Sequence, residues 1–242
     1  MESFLDRTSD ADLEQLCREL SARRHKSKRN SLRLRAWRFT VGASYAAKRV
    51  MDIAGSLAGM ILLSPVFVGI AIAVKMSSPG PIIFSQVRVG RYGRHFKFYK
   101  FRSMRADAEA RKSELLSQNE SKDGVIFKMK DDPRITRVGK LLRRTSLDEL
   151  PQLWNVFIGD MSLVGPRPPV PKEVQEYTLE DRKRLDVIPG ITCLWQIKGR
   201  SEIPFHEQVQ LDKEYILAQG LWKDVVILLK TIPAILGGKG AY

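Results

Sequence analysis

An uncharged run of 22 residues, Ile53 to Val74, constrains the fold of this chain more than any other feature. As one helix it would be long enough to cross the hydrocarbon core of a bilayer, which takes about 20 apolar residues. Ser64-Pro65 interrupts the run near its middle. Because proline removes a helical hydrogen bond and clashes with the preceding turn, we expect a kink or break there.

The charges on both sides of the run favour a re-entrant helix. Ten Lys or Arg residues and no acid lie between Ser21 and Val50, and further basic residues follow from Lys75 onward. Positive flanks stay on the cytoplasmic side of a membrane, so a helix that enters, bends and returns would satisfy both flanks. A kinked single-pass helix is the alternative.

The basic block at 21–50 carries most of the formal net charge of +14. Such a block is typical of a segment that binds an anionic partner, either nucleic acid or an acidic lipid surface. The residues alone leave both partners open.

The remainder of the chain predicts a mixed fold. Ile82–Val89 and Phe96–Arg102 flank the turn Gly90–Arg94 and predict a β-hairpin. Helices are predicted over Arg102–Gln118, Glu173–Leu185, 206–219 and Leu221–Leu236, and a loop over Ser121–Pro133 in which Asp131 and Asp132 would be solvated. The last helix has an apolar side that either membrane contact or core packing would explain.

Asp148 and Glu149 are adjacent carboxylates, which repel each other and therefore need a reason to coexist. A divalent metal or phosphate chemistry would provide one, whereas the exposed start of a helix is the alternative. Ser146 and Glu149 match a capping box, although Pro151 would fit better at the first position of a helix that begins near Leu150. Both interpretations place the pair near a helix N-terminus, where anions are favoured.

Arginines surround the pair. Arg143 and Arg144 precede it, and Arg167 follows between Pro166 and Pro168, which would restrict the backbone that carries it. The planar guanidinium group suits two-point hydrogen bonding to phosphate.

Several segments together resemble one known family, the bacterial sugar transferases. The segments are Lys48-Arg-Val-Met-Asp52, Ser64-Pro65, Lys100-Phe-Arg-Ser-Met104, Asp132-Pro-Arg-Ile-Thr136, Leu142-Arg-Arg-Thr-Ser-Leu-Asp-Glu-Leu-Pro-Gln-Leu153, Gly159-Asp-Met-Ser-Leu-Val-Gly-Pro-Arg-Pro168, Pro189-Gly-Ile-Thr192, Leu194-Trp-Gln196, and Leu211-Asp212 with Tyr215. Over about residues 46–236 the chain resembles monotopic polyprenyl-phosphate phosphoglycosyl transferases, especially members that prime exopolysaccharide synthesis. It departs from their pattern at Cys193, where the family usually has glycine.

The resemblance implies transfer of a phosphosugar from a nucleotide diphosphate sugar to a polyprenyl phosphate, with release of a nucleoside monophosphate. Asp148 matches the nucleophile that forms a covalent intermediate, and Glu149 matches the ligand of Mg²⁺. Arg143 and Arg167 match phosphate-binding positions, with Pro166 and Pro168 beside the latter. The resemblance also places Lys100, Arg102 and Asp212 near the substrate.

The expected fold is α+β and mostly helical. It is a monotopic membrane protein with a re-entrant helix broken at Ser64-Pro65, a small β-hairpin and interfacial amphipathic helices. The expected divisions are a basic N-terminal extension (1–45), the re-entrant helix (46–76) and a catalytic domain on the cytosolic face (77–242). The implied location is the cytoplasmic face of the bacterial inner membrane.

The resemblance also indicates the partners. They are the nucleotide-sugar donor, the polyprenyl phosphate acceptor and anionic lipid, without nucleic acid, and a homodimer is left open. Two rival functions are a phosphohydrolase, in which water resolves the intermediate, and a membrane-tethered adaptor without enzymatic activity.

Overall fold

The structure is a computed structural model that describes residues 39–40, 42–105, 107–108, 110, 129 and 132–237. Most of the basic block lies outside the described residues, as do most of the predicted helix Arg102–Gln118 and most of the predicted loop Ser121–Pro133. All contacts discussed below belong to the compact unit that begins at Lys48.

The described residues form a mostly helical fold with two small sheets, as an α+β architecture requires. The helices are α1 (Gly42–Leu62), α2 (Ser64–Ser77), α3 (Arg137–Arg144), α4 (Gln152–Ile158), α5 (Pro171–Gln175), α6 (Leu179–Arg182), α7 (Leu194–Lys198), α8 (Phe205–Leu217) and α9 (Leu221–Gly237). The strands are β1 (Ile83–Val89), β2 (His95–Phe101), β3 (Ser162–Val164) and β4 (Gly190–Thr192).

Helices α1 and α2 meet at an angle of 62° around Leu63. Pro65 lies in the first turn of α2, where its missing N–H costs no helical hydrogen bond. Among the described residues no single helix is long and apolar enough to span a membrane, and only this bent pair meets that criterion together.

Three side chains of α1 attach it to the remainder of the unit. Lys48 forms an ion pair with Asp224 of α9. Arg49 donates to the carbonyl oxygens of Val156 (2.6 Å) and Phe157 (2.7 Å) near the end of α4. Asp52 accepts from Ser162 Oγ (3.0 Å) and from the backbone N–H of Leu163 (2.9 Å). Residues 48–52 of α1 are therefore bonded to α4, β3 and α9, which all follow Asp148 and Glu149 in the chain.

The predicted hairpin is confirmed, because β1 and β2 pair antiparallel with Ile83 opposite Phe101 and Val89 opposite His95. Side chains alternate along β2, so that Phe96 and Phe98 are buried while Lys97 is exposed. One face of the hairpin thus packs on the core, with Val156 and Met161.

The second sheet is a short parallel pair in which Ser162 lies opposite Gly190 and Val164 opposite Thr192. The crossover between β3 and β4 contains α5 and α6. The single helix predicted over Glu173–Leu185 is wrong, since a capping box at Thr178 starts α6 separately and a 3₁₀ turn follows over Lys183–Asp186.

The apolar side of α9, for which membrane contact and core packing were both open, is largely exposed. The buried residues of the helix include Asp224 and Ile227, whereas Trp222, Leu229 and Ile232 are 79%, 62% and 58% exposed. Core packing therefore does not explain the predicted apolar side.

Two further predictions need correction. Arg102 to Arg105 are not helical, because Met104 forms a β-bridge with Ile135. Asp132 is buried, not solvated, and both of its carboxylate oxygens accept hydrogen bonds from the Arg134 side chain. Asp131 lies outside the described residues.

Candidate active site

A cavity of about 650 Å³ opens beside the hairpin, α3 and the loops that follow α3 and β3. Six of the predicted site residues line it, namely Lys100, Arg102, Arg143, Asp148, Glu149 and Arg167. Asp212, Pro166 and Pro168 are not among its lining residues. The fold therefore gathers the carboxylates and most of the predicted cations into one concave site, as substrate sites require.

The two carboxylates lie on a 3₁₀ turn, Leu147–Glu149, and not in the first turn of an α-helix. Ser146 has a left-handed backbone (φ 55°) and makes no side-chain cap, so the predicted capping box does not form. The alternative start near Leu150 is closer, because α4 begins at Gln152 with Pro151 as its N-cap. A left-handed serine costs energy that the surrounding contacts must offset, and such strain is concentrated at functional sites.

Lys100 of β2 is the cation that bridges the pair. Its Nζ lies 2.7 Å from Glu149 Oε1 and 3.5 Å from Asp148 Oδ2. The Asp148 side chain is 6% exposed and that of Glu149 is 24% exposed, so the two carboxylates differ in their access to solvent.

The pKa values of the two carboxylates move in opposite directions. Burial raises the pKa of Asp148 above its usual range, and the adjacent Glu149 adds to this, while Lys100 and Arg143 oppose it. Burial also acts to raise the pKa of Glu149, but Lys100, Arg167 and Arg200 outweigh it and the pKa falls below its usual range. Neighbours of equal formal charge thus acquire different chemistry from their surroundings.

Arg143 reaches the cavity because α3 lies directly against Ser103. A Cβ on Gly139 would approach the Ser103 carbonyl oxygen to 1.9 Å, so only glycine permits this contact. At this separation Arg143 Nε donates to Ser103 Oγ (3.0 Å). Arg144, on the same helix, is exposed and not among the cavity-lining residues.

Arg102 lines the cavity but is held by the end of α2. Its Nη2 donates to the carbonyl oxygens of Ser78 (2.6 Å) and Val74 (3.4 Å). Arginine at a helix C-terminus interacts favourably with the free carbonyl groups there. The residue therefore connects the cavity wall to the second half of the bent helix pair.

The loop that carries Arg167 is fixed by its neighbours. The backbone N–H of Gly190 donates to Pro166 O (2.9 Å), and Arg88 Nη1 donates to Pro168 O (3.0 Å). The two prolines therefore hold the loop backbone through their carbonyl groups while Arg167 itself lines the cavity.

Arg200 is a cavity residue that the sequence analysis missed. It has a left-handed backbone (φ 53°), and its Nη2 lies 3.4 Å from Ser146 Oγ. Two left-handed residues thus meet beside the carboxylates. The dipeptide Gly199-Arg200 follows the Leu194-Trp-Gln segment, but a basic residue after glycine is too common to be a signal.

Asp212 lies in the interior, paired with Arg184 at 2.7 Å. Burial raises its pKa to about 6, although Arg184 acts in the opposite direction. Cys193 is also buried, and its extended backbone (φ −153°) needs no glycine. The departure from the family pattern is therefore accommodated without strain.

Asp148 and Glu149 are candidate ligands of a metal ion. Within the described ranges no cluster of three or more His, Cys, Asp or Glu side chains could hold one. Mg²⁺, however, is usually held by one or two carboxylates together with substrate phosphates and water. Glu149, with Asp148 beside it, fits this kind of site.

Comparison with known proteins places the chain in a family. The family model described as bacterial sugar transferase matches residues 43–238. The chain belongs to the bacterial sugar transferase family. It is 50% identical over 196 residues to a protein of Streptococcus agalactiae named galactosyl transferase CpsE, covering 81% of this chain and 43% of that protein.

Two further relatives of this bacterial sugar transferase differ in length. It is 41% identical to the UDP-glucose:undecaprenyl-phosphate glucose-1-phosphate transferase of Escherichia coli, over 83% of this chain and 42% of that protein. It is 39% identical to the exopolysaccharide production protein ExoY of Sinorhizobium fredii, over 81% of this chain and 88% of that protein. The chain thus spans about two fifths of the length of some curated relatives and most of another.

Proposed function

We propose that this protein transfers a phosphosugar from a nucleotide diphosphate sugar to a polyprenyl phosphate, as the priming step of exopolysaccharide or glycan synthesis. The observation that carries the proposal is the buried Asp148 beside Glu149, bridged by Lys100 in a cavity lined with arginines. Relatives named as undecaprenyl-phosphate transferases of galactose, glucose and N-acetylgalactosamine phosphates support it.

In the first step a carboxylate oxygen of Asp148 attacks the phosphorus that carries the sugar. A bond forms between this oxygen and phosphorus, and the bond from phosphorus to the bridging oxygen breaks. The nucleoside monophosphate leaves with the electron pair, and an aspartyl-phosphosugar remains. A covalent intermediate divides one difficult transfer into two easier steps, and lets a soluble donor and a lipid acceptor use one site in turn.

In the second step an oxygen of polyprenyl phosphate attacks the same phosphorus. The acyl phosphate bond breaks, the carboxylate of Asp148 is restored, and polyprenyl-diphospho-sugar is the product. Arg143, Arg167 and Arg200 line the cavity and supply donors for the phosphate oxygens whose charge grows during both transfers. Lys100 stabilises the ionised form of Asp148, the form that can attack.

Glu149 would hold Mg²⁺ in this site, with Asp148 beside it. When bound, the ion would neutralise charge on the donor diphosphate and so permit the approach of an anionic nucleophile. Lys100, Arg167 and Arg200 favour the charged form of Glu149, which is the form a metal ligand requires.

The lipid dependence of nucleotide release tests the transferase proposal. With a UDP sugar and Mg²⁺ alone, we expect a burst that stops near one nucleoside monophosphate per protein molecule, because nothing resolves the intermediate. Undecaprenyl phosphate should restore continuous turnover and yield lipid-linked sugar, and EDTA should prevent both. Equal accumulation of sugar phosphate without lipid would identify a phosphohydrolase instead.

We further propose that α1 and α2 form a re-entrant element (residues 46–76) that holds the catalytic domain (77–242) at the cytoplasmic face of the inner membrane. The bend of 62° and the exposed apolar side chains of both helices support this topology. The exposed Trp222, Leu229 and Ile232 of α9 and the basic extension (1–45) would contact the interface and its anionic lipids. A homodimer is compatible with this arrangement.

Cysteine labelling in intact cells tests the topology. Cys17 and Cys193 are first replaced by alanine, and then Tyr45→Cys or His95→Cys is added. A re-entrant helix places both positions inside the cell, so a membrane-impermeant maleimide should label neither until the membrane is opened. Labelling of only one of them in intact cells would show that the helix pair crosses the membrane.

A further inference from the structure

Asn155 of α4 is completely buried, and its side-chain amide bonds two backbone groups of β2. Nδ2 donates to the carbonyl oxygen of Lys97 (2.7 Å), and Oδ1 accepts from the N–H of Tyr99 (3.2 Å). Residues 97 and 99 lie two apart, so both groups point to the edge of β2 that faces away from β1. The amide therefore makes the hydrogen bonds at this edge that a neighbouring strand would otherwise make.

The surroundings of this amide are apolar. Val156, Met161, Phe96 and Phe98 form a buried cluster around the contact between α4 and β2. Because Asn155 itself is completely buried, its amide has no water to replace a hydrogen-bond partner that it loses. The bond pair therefore defines one register of α4 against β2, and a shift of either element would leave buried polar groups unpaired.

Both elements continue directly into the active site. Lys100 follows Tyr99 on β2, and the 3₁₀ turn with Asp148 and Glu149 ends three residues before α4 begins at Gln152. The distances from Lys100 Nζ to the two carboxylates depend on how β2 lies against α4. Asn155 provides both polar side-chain bonds that join the two elements among the described residues.

We propose that Asn155 is a positioning residue, which holds Lys100 against the Asp148–Glu149 pair by fixing the register between β2 and α4. It touches no substrate and acts through Lys100. The inference rests on the transferase function proposed above, in which Lys100 assists the attack of Asp148. A small displacement is sufficient to matter, because a misplacement of about 1 Å in an active site can lower a rate about 100-fold.

A double-mutant cycle tests this role, with Asn155→Ala, Lys100→Met and the double variant assayed for nucleoside monophosphate release. We expect Asn155→Ala to lower kcat about 10- to 100-fold while KM changes little, since the donor-binding arginines lie on other elements. In the Lys100→Met background the same change should cost less than about twofold, because the group that it positions is already absent.

Gln152→Leu is the matched control. Gln152 lies on the same helix, is 2% exposed, and its Nε2 has no hydrogen-bond partner within the described part of the chain. Any fold-loss in kcat that Gln152→Leu causes should be the same in the Lys100→Met background, so that the two losses multiply in the double variant. Thermal melting of the detergent-solubilised proteins reports the folded fraction, and Asn155→Ser, which is smaller and keeps a hydroxyl group, replaces Asn155→Ala if the latter does not fold.

The outcomes separate this inference from the proposed function. The positioning role is wrong if the fold-losses in kcat caused by Asn155→Ala and Lys100→Met simply multiply in the double variant, as is expected for Gln152→Leu. Asn155 would then have only a structural role. Full turnover by Asp148→Asn would instead overturn the proposed mechanism itself. Coupling between Asn155 and Lys100, with Asp148→Asn inactive, supports both.

Discussion

Replacing Asp148 with asparagine should abolish release of nucleoside monophosphate, with a loss of roughly 10⁴-fold or more, as expected for removal of a nucleophile. An amide has nearly the same shape as a carboxylate but cannot form the acyl phosphate bond. The cavity and its arginines should therefore remain in place, and donor binding, measured by calorimetry with the detergent-solubilised protein, should be retained.

Two companion variants make this result specific. Glu207→Gln removes an exposed carboxylate of α8 that is not among the cavity-lining residues, and should leave turnover unchanged. Glu149→Gln should also lower turnover, but it should in addition raise the Mg²⁺ concentration needed for half-maximal rate, because a neutral amide is a weaker ligand. Turnover by Asp148→Asn at the wild-type rate would exclude the covalent route through Asp148.

Gly190→Ala should have the largest effect on folding. A Cβ at this position would come within 2.0 Å of Gly165 N and 2.6 Å of the Val164 carbonyl carbon. Because these are backbone atoms, they cannot relieve the clash by changing a side-chain rotamer. The β3–β4 pair would have to separate, at a cost of about 3 kcal/mol in the free energy of unfolding. Because Gly190 N–H also holds Pro166, the residual folded protein should bind the donor diphosphate more weakly.

The control for this variant is Gly220→Ala. No atom lies within 4 Å of a Cβ at Gly220, so the change should alter the free energy of unfolding by less than about 1 kcal/mol. Chemical denaturation of the two variants in the same detergent gives the comparison. Equal stability of Gly190→Ala and Gly220→Ala would show that the parallel pair tolerates a wider spacing than the structure indicates.

The local elements were largely predictable, because short-range patterns determine them. The alternation along β2 and the turn at Gly90–Arg94 predicted the hairpin, and the structure confirms it. The helix predicted over Glu173–Leu185 was wrong because polar capping at Thr178 interrupts it. The apolar pattern of α9 left membrane contact and core packing open, because the side that packs inward contains the buried Asp224, which pairs with Lys48, a residue 176 positions away.

The site was predictable in its residue types but not in its arrangement. The adjacent carboxylates and the proline-flanked Arg167 are visible as local patterns. Arg200 was missed because its position beside Ser146 depends on two left-handed residues 54 positions apart. Asn155 carries no motif of its own, and its role emerges only from the backbone groups of β2 that it satisfies.

The sequence by itself determined that this chain has a broken apolar helix, a hairpin and a carboxylate pair among arginines, since each depends on residues close together in the chain. Only the tertiary structure decided which cation bridges the pair, because Lys100 lies 49 residues before Glu149 and meets it through packing of β2 on α4. It also decided how the two carboxylates differ. Burial raises the pKa of Asp148, while nearby cations lower that of Glu149, and neither environment can be deduced from neighbours in sequence.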